Sequence, residues 1–221
     1  MSLQQFDPLS LALFLAALSL MPLMLVCTTC FLKVSMVLMI VRNAIGVQQV
    51  PPSIAIYSIA LSITLFVMAP VLREISAATP LGQSQEFNLR KFTVDDAVTA
   101  VEPLRRFMLR NTLPEGRERF VVMARKQAGA GAANVRDSDY VVLIPAFVIS
   151  ELQLAFEVGF VLYVPMVVID LLMSNLLLAL GMQMVSPMVI SMPLKILLFV
   201  VLDGWTKVFE GLVQSYAGGT P

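Results

Sequence analysis

Five charged side chains sit inside otherwise apolar stretches of the chain: Lys33, Glu151, Glu157, Asp170 and Lys195. Each would cost about 2.5–3.5 kcal/mol at the centre of a helix in hydrocarbon, before any partner is found. Two chemistries could justify that cost. Buried carboxylates can relay protons, and Glu151, Glu157 and Asp170 would then serve a proton-coupled secondary transporter. Alternatively, charges of opposite sign pair between helices or between subunits. The set holds both signs and the chain has no histidine, the side chain best suited to proton relay near neutral pH, so structural pairing is favoured. The missing histidine also removes the commonest metal ligand, and no nucleophile–base motif is apparent. No catalytic residue, metal site or cofactor is expected.

A second group of residues offers mechanics in place of reactivity. In Gly181-Met-Gln-Met-Val-Ser-Pro187, Gly181 ends one apolar run as a helix C-cap. Ser186 and Pro187 supply an N-cap and a first helical residue for the next. Met182, Gln183, Met184 and Val185 therefore form a hairpin tip. Open backbone at membrane depth cannot face lipid, so the tip must be buried in protein or line a watery path, and Gln183 favours the path. Met182 and Met184 are unbranched and polarizable. They read equally as ordinary gap-fillers or, repeated around a ring of subunits, as a compliant apolar constriction. Cys27 and Cys30 lie within an apolar run, where free thiols behaving as small hydrophobes are a better reading than a redox or metal site.

The elements that must position these residues follow from composition. The chain has 221 residues, 58% hydrophobic and 14% charged, with no formal net charge and a mean hydropathy of +0.84. Soluble domains are about 45–50% apolar and about 25% charged, so a bilayer or a large assembly must cover the excess. Zero net charge gives no reason to expect nucleic acid as a partner. An apolar run from Leu9 continues past Lys33 to Val41. No Lys or Arg precedes it, so an uncleaved helix is expected in preference to a signal peptide. Gly46 and paired Pro51-Pro52 break the chain before a charge-free run, Ser53–Leu72, long enough to span as helix. From Tyr140 to Leu202 apolar character resumes, broken near its middle by the tip. Asp203 and Lys207 are spaced for an i,i+4 ion pair worth only tenths of a kcal/mol.

Residues 73–139 differ. They hold 11 of the 15 basic and 9 of the 15 acidic residues, a hydrophilic insertion whose charge is best read as a solvated face. A helix start at Thr93-Val-Asp-Asp96, a kink or break at Pro103 and a second short helix over Glu115–Gln127, ended by the Ala/Gly-rich 128–133 stretch, are expected. Three regions result: N-terminal hydrophobic helices (1–72), the mostly helical insertion (73–139) and a C-terminal hydrophobic hairpin (140–221). The fold class is an all-α membrane protein with long helical hairpins and about four hydrophobic helices.

These segments carry a resemblance. Arg42-Asn-Ala-Ile-Gly-Val-Gln-Gln-Val-Pro-Pro52, Val67-Met-Ala-Pro70, Leu143-Ile-Pro-Ala-Phe-Val-Ile-Ser-Glu-Leu152, Gly181-Met-Gln-Met-Val-Ser-Pro187 and Asp203-Gly-Trp205 resemble the FliP/SctR export-gate family. They cover both apolar halves in the family's order. The resemblance implies a core subunit of a type III secretion export gate in the bacterial inner membrane, a channel for unfolded protein. It further implies a ring of several copies, typically five, joined by S and T subunits and by the U subunit, much of it lying above the bilayer plane. By the same resemblance Met182 and Met184 fall at the positions of a pore gasket. Gln183 stands where flagellar relatives often carry another methionine, and the Gln-Met-Val-Ser-Pro wording favours the injectisome branch. The family places the insertion on the periplasmic side. Its basic content would suggest the cytoplasm, but it exceeds the ~60-residue loops for which that rule holds.

Overall fold

The computed structural model describes residues 8–47, 50–78, 94–128, 135–182 and 184–218, which are helical with short connections. Helix α1 (Pro8–Thr28) and helix α2 (Phe31–Ile45) share the first apolar run. The run is not straight, because the axis bends by 69° between them. Thr28 and Thr29 donate their hydroxyls to the carbonyls of Met24 and Leu25 at 2.6 and 2.5 Å, a back-bonding pattern that bends helices. Cys30 then starts α2, fully buried, and both Cys27 and Cys30 are free thiols.

Helix α2 is the centre of the fold. Val34, Val37, Leu38, Val41, Ala44 and Ile45 are buried at the three- and four-residue spacing of one helical face. Gly46 ends the helix with φ 84°, its N–H donating to the Asn43 carbonyl at 3.1 Å. Helix α3 (Ser53–Ala78) packs along α2 through Ile56, Ala60, Ile63 and Met68, and runs past Leu72 to include Arg73 and Glu74.

The insertion does not stand apart. Helix α4 (Val94–Asn111) packs on α3, and helix α5 (Pro114–Ala128) lies along the next long helix. Helix α4 passes through Pro103 without a break. Phe107 and Met108 are buried in the common core, and Arg106 reaches Glu74 of α3 at 2.8 Å, so tertiary contacts hold the half beyond the proline in line. Helix α5 carries Glu115 in its first turn and Arg125 and Lys126 in its last, which suits the helix dipole. The expected cap at Thr93 and residues 129–133 lie outside the described residues.

Helix α6 (Tyr140–Ala179) runs 40 residues through Pro145 and Pro165. Helix α7 (Pro187–Val201) returns from it, and helix α8 (Gly204–Ala217) follows after a 60° bend. Asp203 makes that bend with φ 50°. Its carboxylate accepts the Thr206 hydroxyl at 2.9 Å, and no ion pair with Lys207 forms among the described residues, because the carboxylate is turned to the first turn of α8. By length and composition α3 and α6 could each cross a membrane, and the bent pairs α1/α2 and α7/α8 raise the number to four.

Candidate functional site: a hairpin tip and two buried charge clusters

The tip between α6 and α7 is built from backbone hydrogen bonds. Gly181 takes φ 75°, the left-handed conformation that costs glycine little. Its N–H donates to Leu178 O at 3.0 Å while Met182 N–H donates to Leu177 O at 2.9 Å. This is a Schellman closure, and it satisfies the last carbonyls of α6. Ser186 holds the extended N-cap backbone and Pro187 begins α7, but the Ser186 hydroxyl makes no capping bond. Instead its carbonyl accepts Val189 N–H at 3.1 Å. Val185 is half-buried. Met182 is 45% exposed and Met184 99% exposed, so Met184 fills no gap within its own chain. Gln183 lies outside the described residues.

One charge cluster lies close behind the tip. Lys195 of α7 is buried and its Nζ stands 2.5 Å from Asp170 Oδ2 of α6. The same Nζ donates to the Ala44 carbonyl at 3.2 Å. Ser191, one turn earlier on α7, donates to the other oxygen of Asp170 at 2.6 Å.

The second cluster lies in the core between α2, α6 and α8. Lys33 Nζ donates to Ser215 Oγ at 3.0 Å and sits 4.4 Å above the centre of the Tyr216 ring. The Tyr216 hydroxyl donates to Oε2 of Glu151, which is wholly buried, and Oε1 of Glu151 has no partner. Lys33 and Glu151 thus flank one tyrosine without forming a direct ion pair. Tyr216 also stacks on Phe107 at 6.0 Å, which joins α4 to the cluster. Ser215 and Tyr216 were not anticipated from the sequence, although they continue the α8 face begun by Val208 and Leu212 at helical spacing. Glu157 stands apart from both clusters, exposed and accepting the Gln153 amide at 3.2 Å.

Arg42 lies in the last turn of α2. Its Nη1 donates to Ser53 Oγ at 3.1 Å and approaches Pro51 O at 3.5 Å, closing the connector between α2 and α3. Among the described residues no group of His, Cys, Asp and Glu could hold a metal ion.

An all-helical chain with up to four apolar spans, a methionine-bearing tip and buried interior charges defines a class of membrane-associated helical proteins. Within that class the assignment is specific: residues 14–212 match the FliP family, and the chain belongs to it. It is 50% identical to the harpin secretion protein HrcR of Erwinia amylovora, covering 98% of this chain and 100% of that protein. It is 42% identical to the Yop proteins translocation protein R of Yersinia pestis, covering 96% and 98%. It is 36% identical to the flagellar biosynthetic protein FliP of Bacillus subtilis, covering 93% and 90%.

Proposed function

We propose that this chain is a core structural subunit of a type III secretion export gate, in which hairpin tips from several copies converge on a pore for unfolded protein across the bacterial inner membrane. The observation that carries the reading is the pair Met182 and Met184 at the end of an apolar helix, Met182 half-exposed and Met184 almost wholly so. A helix of 40 residues is about 60 Å long, twice the ~30 Å hydrocarbon thickness. This chain covers the first half, and lipid or other protein subunits must cover the exposed apolar half from Phe160 onward. The names of its relatives, which refer to harpin secretion, Yop translocation and flagellar biosynthesis, support a place in a secretion apparatus; in this reading S, T and U export-gate subunits and further copies of this chain are its partners. The insertion faces the periplasm in this reading. A cysteine replacing the exposed Met123, with Cys27 and Cys30 changed to alanine, should react with a membrane-impermeant reagent in spheroplasts; labelling only after lysis would reverse the orientation.

The transporter reading has less support. Glu151 and Asp170 are about 28 Å apart along α6 at 1.5 Å per residue, and Asp170 is already paired with Lys195.

The test is the double substitution Met182→Ala, Met184→Ala in the assembled complex. It removes side-chain bulk from every copy in the ring, so the complex should form, leak small ions and still export protein. Leucine at both sites keeps most of the volume and should leak less. An assembled double alanine variant as ion-tight as the parent would show the methionines to be packing residues.

A further inference from the structure

We infer that Lys195 is the positioning residue of the tip: it ties α7, which begins at the tip, to α6 and to the C-terminal end of α2. What the tip does rests on the export-gate reading; the tie rests on geometry alone.

Helix α7 packs beside α6 and meets α8 through Phe199 and Trp205, but it buries few side chains. Its buried residues are Ser191, Lys195 and Phe199, a single stripe at four-residue spacing in which two of three members are polar. Lys195 is 5% exposed while the flanking Leu194 and Ile196 are exposed, so the ammonium is turned inward and the hydrocarbon outward. That inversion makes sense only if the ammonium finds partners, and it finds them on two other helices: Asp170 Oδ2 of α6 at 2.5 Å and Ala44 O of α2 at 3.2 Å. Ala44 lies in the last turn of α2, where carbonyls lack partners within the helix and the dipole favours a cation. One ammonium therefore joins three helices.

The contact continues into the connector. A Cβ added at Gly46 would lie 3.8 Å from Met188 Cε and 3.9 Å from Lys195 Nζ, so the end of α2 and the first turns of α7 are close neighbours. Arg42, on the same end of α2, holds the far end of the connector through Ser53 at 3.1 Å.

The tie can be cut without stranding a charge. The Asp170 side chain is 43% exposed, so water can solvate it once the lysine is gone. Removing Asp170 instead would leave a buried ammonium without its counter-ion, the costlier change. Lys195→Met is therefore the variant of choice, read in the assembled export-gate complex by hydrogen exchange with mass spectrometry. Peptides covering 42–53 and 184–195 should both exchange faster, by about tenfold for the loss of one charge-assisted hydrogen bond. Peptides covering 142–159 should be unchanged, and Lys195→Arg should restore both regions. Lys195→Gln, uncharged but still able to donate to Ala44, should show the same pattern at smaller amplitude and keeps the measurement available if the methionine variant does not assemble. Unchanged exchange, faster exchange confined to α7, or acceleration spread through 142–159 would each overturn the tie. Ion leak is read separately in the same samples: faster exchange in both regions without leak would leave the tie standing and count against the gasket.

Discussion

From Tyr140 to Gly159, α6 buries Val142, Leu143, Ala146, Phe147, Ser150, Glu151, Ala155 and Gly159; from Phe160 to Ala179 it buries only Met166 and Leu177. Both halves are apolar and each contains one proline. What differs is the company. The first half lies against α2, α4 and α5, and Gly159 lets α2 approach so closely that a Cβ there would stand 2.4 Å from Ile40 Cδ1. The second half has α7 beside it and an open apolar groove of about 450 Å³ among α2, α6, α7 and α8. The first half is a completed core. The second is a surface whose partners are not in this chain, and hydropathy cannot distinguish the two.

Phe147 and Phe160 put the comparison to its largest test. Phe147 is fully buried, edge-on to Phe107 at 6.0 Å, and Phe147→Ala should destabilise the detergent-solubilised subunit by about 3–5 kcal/mol, read as a fall in its thermal midpoint. Gly159→Ala comes next, at about 1–3 kcal/mol from overpacking. The atom it meets is the flexible end of Ile40, so Ile40→Ala in the same chain should recover much of the loss; no recovery would mean that α2 and α6 are held apart by something else. The smallest effect on the isolated subunit is expected from Phe160→Ala, within about 0.5 kcal/mol, because the ring is already 69% exposed. Its consequence should appear instead in assembly, as reduced co-purification with other subunits of the secretion apparatus. Equal destabilisation by Phe147→Ala and Phe160→Ala in the isolated subunit would erase the distinction between the halves.

Much of the architecture was legible because it depends on local chemistry. Gly46, Gly181 and Pro187 mark helix ends through their own backbone preferences, and Ser53 opens a helix whose charge-free part composition reveals, although it runs on through Arg73 and Glu74 to Ala78. Local rules failed where a distant contact outweighed them. Pro103 argued for a break that burial of Phe107 and Met108 prevents. Thr28 and Thr29 lay unnoticed in an apolar run, yet their back-bonded hydroxyls accompany a 69° bend. The Asp203–Lys207 spacing was suitable for an ion pair, but the left-handed backbone at Asp203 aims its carboxylate at Thr206.

The interior charges separate the two kinds of information most clearly. Sequence alone determined that Lys33, Glu151, Asp170 and Lys195 lie in apolar helices, because an 18- to 20-residue apolar window is a property of consecutive residues. Which groups face them was decided only by the tertiary structure. Tyr216 lies 65 residues from Glu151 and Ser215 lies 182 from Lys33, and the Ala44 carbonyl that accepts from Lys195 is a backbone atom with no side-chain signature. Hydrogen-bond partners are chosen by the packing of α2, α6, α7 and α8 in three dimensions, and nothing in the local sequence around one charge reports what another helix will bring to it.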